Sequence, residues 1–303
     1  MFKILIIGYS SLVKRRIIAT LVRKGIPFDI ASRSKKRKDL NAENWFHGYD
    51  QGLKKSNANI AYISLPNSLH YFWGIKALKK NFHTLIDKPA TINSKQLKNL
   101  FNTAKKKRRI LSEALFFNYH DQMKFALREI QKKKVVKINV NFSIPKPDES
   151  SILSSKKLKG GVIMDMGPYI AAVTRLFFKS KPKKMIKNIE FKNKISSKIN
   201  TLFIYKNSSF FGKFSHNDNY QNFIEIYLKN KIIKLSRVFS PPALEKLEVL
   251  EIIGNKTKSK KFSDDIFQNY IEEVFYIIKK KRYSFYKKRM IQDIKIREYL
   301  QKY

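Results

Sequence analysis

The sequence predicts an α/β chain in two parts, a parallel sheet covered on both faces followed by an α/β part with a largely antiparallel sheet. Strand and helix signals alternate over roughly the first 115 residues, the order that builds parallel sheets. The apolar runs in that half are continuous, as strands buried on both sides require. Beyond about residue 135 apolar and polar residues alternate strictly, which suits a sheet with one wet face. A chain of 303 residues is long enough for two domains, and the change of pattern divides it into 1–117 and 118–303.

Taken in order, "KILIIG" is a short apolar run, and "SLVKRRIIATLVRKG" follows with helical spacing closed by Gly25. "PFDIAS" and "NIAYISLP" are further runs, the latter leading into the helix-like "SLHYFWGIKALKK". "FHTLID", the polar helix "NSKQLKNLFNTAKKK" and "RILSEAL" complete the first half. In the second half "KINVNFSI" places Ile138, Val140, Phe142 and Ile144 on one face. "NFIEIYLKNKIIKLSR" does the same for Ile224, Ile226 and Leu228, then for Ile233 and Leu235 after a Lys-Asn turn. "TLFIYKNSSFFGKFSHN" reads as a hairpin around Asn207-Ser208.

Composition narrows the chemistry. A hydrophobic fraction of 43% places the chain among globular proteins. The absence of cysteine excludes disulfides, thiolate metal sites and a cysteine nucleophile. Five scattered histidines with no His-x-x-x-His pair argue against zinc, so no metal is expected. The net charge of +41 is spread along the chain, with lysine far above arginine and with Ala and Gly scarce, as an A/T-rich coding sequence would produce. A phosphate-tracking surface would concentrate arginine and interleave aromatics on one element. Nucleic acid is therefore not the expected partner, although the charge would attract nucleotides or sugar phosphates. The first apolar run is too short to span a membrane, and Lys14-Arg15-Arg16 follow it without a small-residue cleavage site. A soluble, cytoplasmic protein without a membrane partner is expected.

The first strand ends in "IIGYSSLVKRR". A dinucleotide fold needs glycines here, so that a pyrophosphate can approach the backbone and sit on a helix N-terminus. Only the first glycine of G-x-G-x-x-G is kept, at Gly8, with Ser10 and Val13 in the other two places. The turn Gly8, Tyr9, Ser10, Ser11 and Leu12 is thus either an altered cofactor cradle or an ordinary tight turn. In the first reading the Ser10 hydroxyl offers itself to phosphate and Arg15 or Arg16 adds charge. The second strand ends in Ser32, Arg33 and Ser34, with Asp29 too early in the strand to reach a ribose. A carboxylate would repel a 2′-phosphate, whereas an arginine and a serine would bind it. The expected cofactor is NADP, with NAD as the other candidate; the bland reading is a generic basic loop.

"AYISLPNSLHYFWGIKALKKNFHTLIDKPA" resembles the glucose–fructose oxidoreductase / inositol dehydrogenase (Gfo/Idh/MocA) family. Its members end one strand in a small-Pro-Asn-x-x-His pattern and the next in Glu-Lys-Pro. The corresponding residues are Leu65, Pro66, Asn67 and His70, then Asp87, Lys88 and Pro89. "KGGVIMDMGPYIAAVTRLFF" is similar to the family's Gly-Gly stretch before a helix with an Asp and, four residues on, a His; here the pair is Asp165 and Tyr169. Tyrosine at that place marks a branch that includes sugar ketoreductases. The resemblance departs from the family after "SEALFF", where Asn118-Tyr119-His120-Asp121 replace an Arg and a His-Pro.

The resemblance implies a Rossmann domain that binds NADP, and Gly8, Tyr9, Ser10, Ser11, Leu12, Ser32, Arg33, Ser34, Leu65, Pro66, Asn67, His70, Asp87 and Lys88 as its cofactor contacts. It implies Lys88, Tyr169 and Asp165 as the catalytic residues. A phenol has an ordinary pKa of about 10 and protonates an alkoxide readily, and a nearby ammonium lowers that value. Asp165, four residues earlier, would share a helix face with Tyr169 and orient the substrate or Lys88. Pro168 then requires a helix that begins nearby, since proline is tolerated in a first turn. Each residue also has a plain reading: Lys88 as a strand-end charge, Tyr169 as a core aromatic, Asp165 as a helix N-cap, Asn67 and His70 as caps of the following helix. The expected function is hydride transfer between NADP(H) and a sugar or nucleotide-linked keto-sugar, in surface-polysaccharide synthesis. The alternatives are a polyol or diol dehydrogenase, or a non-catalytic nucleotide-binding protein. A homodimer or homotetramer is expected through the alternating sheet.

Overall fold

A computed structural model describes residues 2–34 and 41–302, with the backbone alone at Lys132. The chain forms two compact units, Met1–Leu115 with Tyr270–Lys295, and Phe116–Asn269 with Ile296–Tyr303.

The first unit is a six-stranded parallel sheet of β1 (Ile4–Ile7), β2 (Phe28–Ser32), β3 (Asn44–His47), β4 (Ile60–Ile63), β5 (His83–Asp87) and β6 (Leu111–Ala114), in the order β3-β2-β1-β4-β5-β6. Helices α1 (Ile18–Arg23), α2 (Tyr49–Lys55), α3 (Asn67–Lys79) and α4 (Ser94–Lys107) supply the crossovers, α1 being preceded by a π-helical segment, Val13–Ile17. Ile4, Leu5, Ile6 and Ile7 are all fully buried, which explains a run with no polar break. β3 escapes that pattern because "NWFH" is half exposed at the sheet edge. The strand order reverses between β1 and β4, the switch point at which ligand crevices open in such sheets. The register pairs Ile7 with Ala31 and Ile63, and Ile63 with Ile86, so Gly8, Ser32, Ser64 and Asp87 follow one another along one edge.

The second unit is an eight-stranded sheet: β7 (Val135–Ser143), β8 (Lys184–Lys192), β9 (Ile195–Ile204), β10 (Ser209–Ser215), β11 (Gln221–Leu228), β12 (Lys231–Ser236), β13 (Leu247–Ile253) and β14 (Lys256–Phe262). Their order is β14-β13-β12-β11-β7-β10-β9-β8, with β7 and β10 parallel and the other pairs antiparallel. Ile138, Val140 and Phe142 face inward, as their spacing predicts, and α6 (Val162–Phe177) packs on β9 and β10 while α5 (Asp121–Lys132) packs on β12. Both expected hairpins form, at Asn207-Ser208 and at Lys229-Asn230. β14 carries Lys256, Lys258, Lys260 and Lys261 on an edge, where charge discourages pairing with another chain. Its lysines hide it from any search for alternating apolar residues.

A single boundary near residue 117 does not describe the last third of the chain. After α7 (Ile266–Lys279) begins, Tyr270–Lys295 belong to the first unit, as does the start of α8 (Lys287–Gln301). Tyr270, Ile271, Val274 and Ile277 are buried, and Phe275 stacks on Phe2 at 4.4 Å. An amphipathic stripe shows that a helix needs a partner but does not say which one.

His83 opens β5, buried, its Nδ1 accepting the Ile110 N–H at 3.1 Å. Burial, reinforced by the Arg109 guanidinium, lowers its pKa to about 4 from an ordinary 6.5. The folded state therefore prefers the neutral ring, and its contribution is complete above the ordinary value and lost as pH falls through about 4. Urea midpoints measured across that interval should fall less steeply in His83→Gln than in the parent.

Candidate active site

In the first unit the chemistry concentrates on the corner after β5. The Asp87 carboxylate accepts the Ser64 hydroxyl at 2.5 Å and the Tyr62 phenol on its other oxygen. Burial holds the Asp87 carboxyl above the usual carboxylate range, against the opposing pull of those two bonds, of His70 and of the Lys88 ammonium. Tyr62 is pushed well above an ordinary phenol by burial and then by Asp87. The next residues are fixed by their backbones. The Pro89 carbonyl meets the His70 Nδ1 at 2.8 Å, and the Ala90 N–H donates to the Glu113 carboxylate at 2.7 Å. The other His70 nitrogen lies 2.7 Å from the Leu65 carbonyl. His70 is buried with both ring nitrogens on backbone, so it braces the Lys88 corner and neither caps α3 nor offers a nitrogen to a cofactor. Lys88 itself is half-buried between these clamps, Leu65 is buried, and Pro66 and Asn67 are half-buried at the mouth of α3.

The turn after β1 joins the same network. Gly8 has φ +101°, and a Cβ there would fall 2.2 Å from the Ser64 carbonyl oxygen, so only glycine lets β1 and β4 end this close together. Ser10 does not stand open for phosphate as its position predicts: its hydroxyl accepts the Val13 N–H at 3.2 Å and bonds Ser64 at 2.7 Å. Because Ser64 gives its proton to Asp87, Ser10 donates to Ser64, and a chain of hydroxyls runs from the altered fingerprint to the Lys88 corner. Tyr9 packs edge-on to Trp45 with Lys14 over its ring, while Ser11 is exposed and Leu12 half-buried at the helix start. The first amides of that helix have no acceptor within it.

At the end of β2, Ser32 is buried and bonded to Ser34, while Arg33 is exposed over the Tyr49 ring. Asp29 is fully buried and held by Asn44, Ser56 and Lys3. No free carboxylate therefore occupies this strand end among the described residues; the remaining bases of the run, from Lys35 to Lys38, lie outside them. These features fit a dinucleotide: a close backbone turn, a helix start, and an exposed guanidinium where a ribose would sit.

The second unit holds Asp165 and Tyr169 on α6. The helix begins at Val162 after Gly161 (φ +89°), whose Cβ would meet the Ser196 hydroxyl at 2.7 Å. Ser196 Oγ accepts the Ile163 N–H at 3.1 Å, which fixes the helix start against β9. This start is earlier than Pro168 suggests, and the proline lies inside the helix with no N–H for the Met164 carbonyl. Asp165 is consequently not an N-cap; its carboxylate takes His216 Nε2 at 3.0 Å. Tyr169 is half-buried among Phe117, Phe142 and Phe239, with centroids 4.9 to 5.7 Å away. His216, on the loop after β10, belongs to no motif of the sequence; its signal is a histidine just past an alternating strand. The departure at Asn118–Asp121 forms a short 3₁₀ turn and the start of α5, where His120 lies buried 3.5 Å from Asp264.

Residues 2–115 match the sequence model of an oxidoreductase family with an NAD-binding Rossmann fold, GFO_IDH_MocA. Over residues 2–115 the chain belongs to the Gfo/Idh/MocA oxidoreductase family. A dTDP-3,4-didehydro-2,6-dideoxy-alpha-D-glucose 3-reductase of Streptomyces violaceoruber is 28% identical over 151 residues, 47% of this chain and 44% of that protein. A D-xylose 1-dehydrogenase (NADP(+)) of Haloferax volcanii is 30% identical over 156 residues, 49% and 48% of the two chains. The chain thus spans about half the length of the curated relatives it matches. Among solved structures, a 3-ketoreductase from Actinomadura kijaniata in complex with NADP and TDP-benzene matches with a TM-score of 0.89 at 20% identity, over 97% of this chain and 95% of that one. At that identity the likeness establishes the fold: a parallel Rossmann sheet and a mixed, mostly antiparallel second sheet.

The Glu113 clamp gives a direct test within the Gfo/Idh/MocA frame. Glu113→Ala leaves the buried Ala90 N–H without its acceptor and should cost about 1–3 kcal/mol in denaturant unfolding. Glu113→Gln keeps a carbonyl acceptor and should cost less.

Proposed function

We propose that this protein is an NADP(H)-dependent oxidoreductase that acts on a sugar carbonyl or alcohol, with a nucleotide-linked keto-sugar as its preferred substrate. The observation that carries this reading is the Asp87–Lys88–Pro89–Ala90 corner, held by side chains of three neighbouring segments in a unit that matches an NAD-binding oxidoreductase family. Holding a lysine at a strand end with that many buried polar contacts is costly unless its position matters. Relatives that include a dTDP-sugar 3-reductase and an NADP(+)-dependent xylose dehydrogenase support the sugar.

The bound nicotinamide would supply the hydride. Lys88 binds the substrate oxygen and stabilises negative charge there, as an ammonium does in a low-dielectric site. Tyr169 delivers the proton to that oxygen during reduction, and its aromatic surroundings limit its rotamers and exclude water. Asp165, fixed by His216, orients the substrate rather than moving the proton. Arg33 pairs with the 2′-phosphate, where no free carboxylate opposes it among the described residues. Oxidation of a free aldose is the second reading, favoured by the similarity to the xylose dehydrogenase.

Tyr169→Phe should lower kcat/KM by about 10²–10⁴-fold while leaving NADPH affinity intact, read by steady-state rates and by nicotinamide fluorescence. Lys88→Ala should lose a comparable amount, and the double variant should lose less than the product, because the two serve one step. Equal activity in the parent and both variants, or no fluorescence change with NADPH, would sink the enzymatic reading. Arg33→Ala should weaken NADPH by roughly 10–100-fold, the loss of a charged hydrogen bond, and leave NADH almost unchanged.

A further inference from the structure

The second unit contains a cavity of about 280 Å³ that neither the fingerprint nor the Lys88 corner explains. Its walls include Lys146, Glu149, Lys192, Ser196, His216 and Asn217. That volume is at the lower end of ligand sites, right for one sugar ring with a substituent and too small for a whole nucleotide-sugar.

Two wall residues tie the cavity to α6. Ser196 accepts the Ile163 N–H at the helix start, and His216 holds Asp165 at 3.0 Å. The His216 side chain is only 5% exposed, and Nε2 makes its one hydrogen bond among the described residues. With Nε2 held by the carboxylate, Nδ1 is the ring nitrogen left to meet a ligand hydroxyl. A histidine anchored in this way reads a hydroxyl in a fixed direction. Two cations of the same lining are weakly countered: Lys146 lies 3.9 Å from Glu149, whose side chain is 93% exposed, and Lys192 has no acidic partner among the described residues. The start of a sixteen-residue helix close behind Ser196 adds positive potential.

We propose that this cavity binds the phosphorylated end of the sugar substrate, with Lys146 and Lys192 on the phosphate and His216 on a ring hydroxyl. The inference deepens the proposed function and rests on it for the link to catalysis. It makes His216 a specificity-determining residue and explains why Asp165 is oriented by a side chain from the loop after β10 rather than from its own helix. A sugar phosphate and the diphosphate of a nucleotide-sugar offer the same chemistry here.

Calorimetric titration of the full chain with glucose, glucose 1-phosphate and dTDP-glucose tests it without turnover. Glucose 1-phosphate should bind at least about tenfold more tightly than glucose, as charge-assisted bonds to phosphate require. Lys146→Gln and Lys192→Gln should each remove much of that preference, whereas Lys258→Gln, on the exposed edge of β14, should not. His216→Asn should weaken glucose and glucose 1-phosphate alike. A further gain with dTDP-glucose points to a nucleotide-linked diphosphate as the source, and its absence to a free sugar phosphate. No preference for phosphorylated probes, unchanged binding in both wall-lysine variants, or an equal loss in Lys258→Gln overturns the assignment. NADPH binding, measured on the same samples, reports separately on the function proposed above. Should His216→Asn fail to fold, the lysine variants still decide.

Discussion

The polar clamp around Asp87, Lys88, Pro89 and Ala90 is the constraint that fixes the end of β5 in the first unit. Four contacts converge on three of these four residues: Tyr62 and Ser64 on the Asp87 carboxylate, His70 on the Pro89 carbonyl, Glu113 on the Ala90 N–H. Each is buried or nearly so, and each would leave a costly unpaired group if its partner were removed. The strand end is therefore rigid in a place where α/β sheets open their crevices. The loss of two glycines from the fingerprint belongs to the same arrangement. Ser10 surrenders an open approach to the backbone and gains a hydroxyl bond to Ser64, one step from Asp87.

The second unit holds α6 in place with aromatic packing and one hydrogen-bonded side-chain pair. Three phenylalanines surround Tyr169, and they come from the segment after β6, from β7 and from the loop after β12. The Asp165–His216 contact then sets the polar side of the same helix. The large positive charge is carried around this framework rather than through it. Where lysine is buried it is matched, as at Lys231, which contacts Glu129 at 2.8 Å and also Glu251. Exposed lysines such as those of β14 carry the surplus, which is compatible with composition as its origin and leaves the fold indifferent to it.

Much of this was readable before any coordinates. The six-stranded parallel half and the antiparallel half follow from run length and period, because burial on two faces and burial on one face leave different marks in a sequence. Lys88, Asp165 and Tyr169 could be singled out because each sits in a short local motif. The strands β3, β8 and β14 escaped, since edge position or lysine content blurs their alternation, and β13 because Leu250 and Ile252 are apolar at positions where a polar residue would complete the period. The return of Tyr270–Lys295 to the first unit also escaped, because an apolar stripe does not name its partner.

Local pattern by itself determined the fold class, the family's motifs and the identity of the candidate groups, since neighbours along a strand or helix share one environment. Which atoms those groups touch was decided only by tertiary structure. Ser64 and Glu113 reach the clamp from 23 positions away, and His216 reaches Asp165 from 51. Hydrogen bonds between such distant residues depend on strand order and register, which no window of sequence contains.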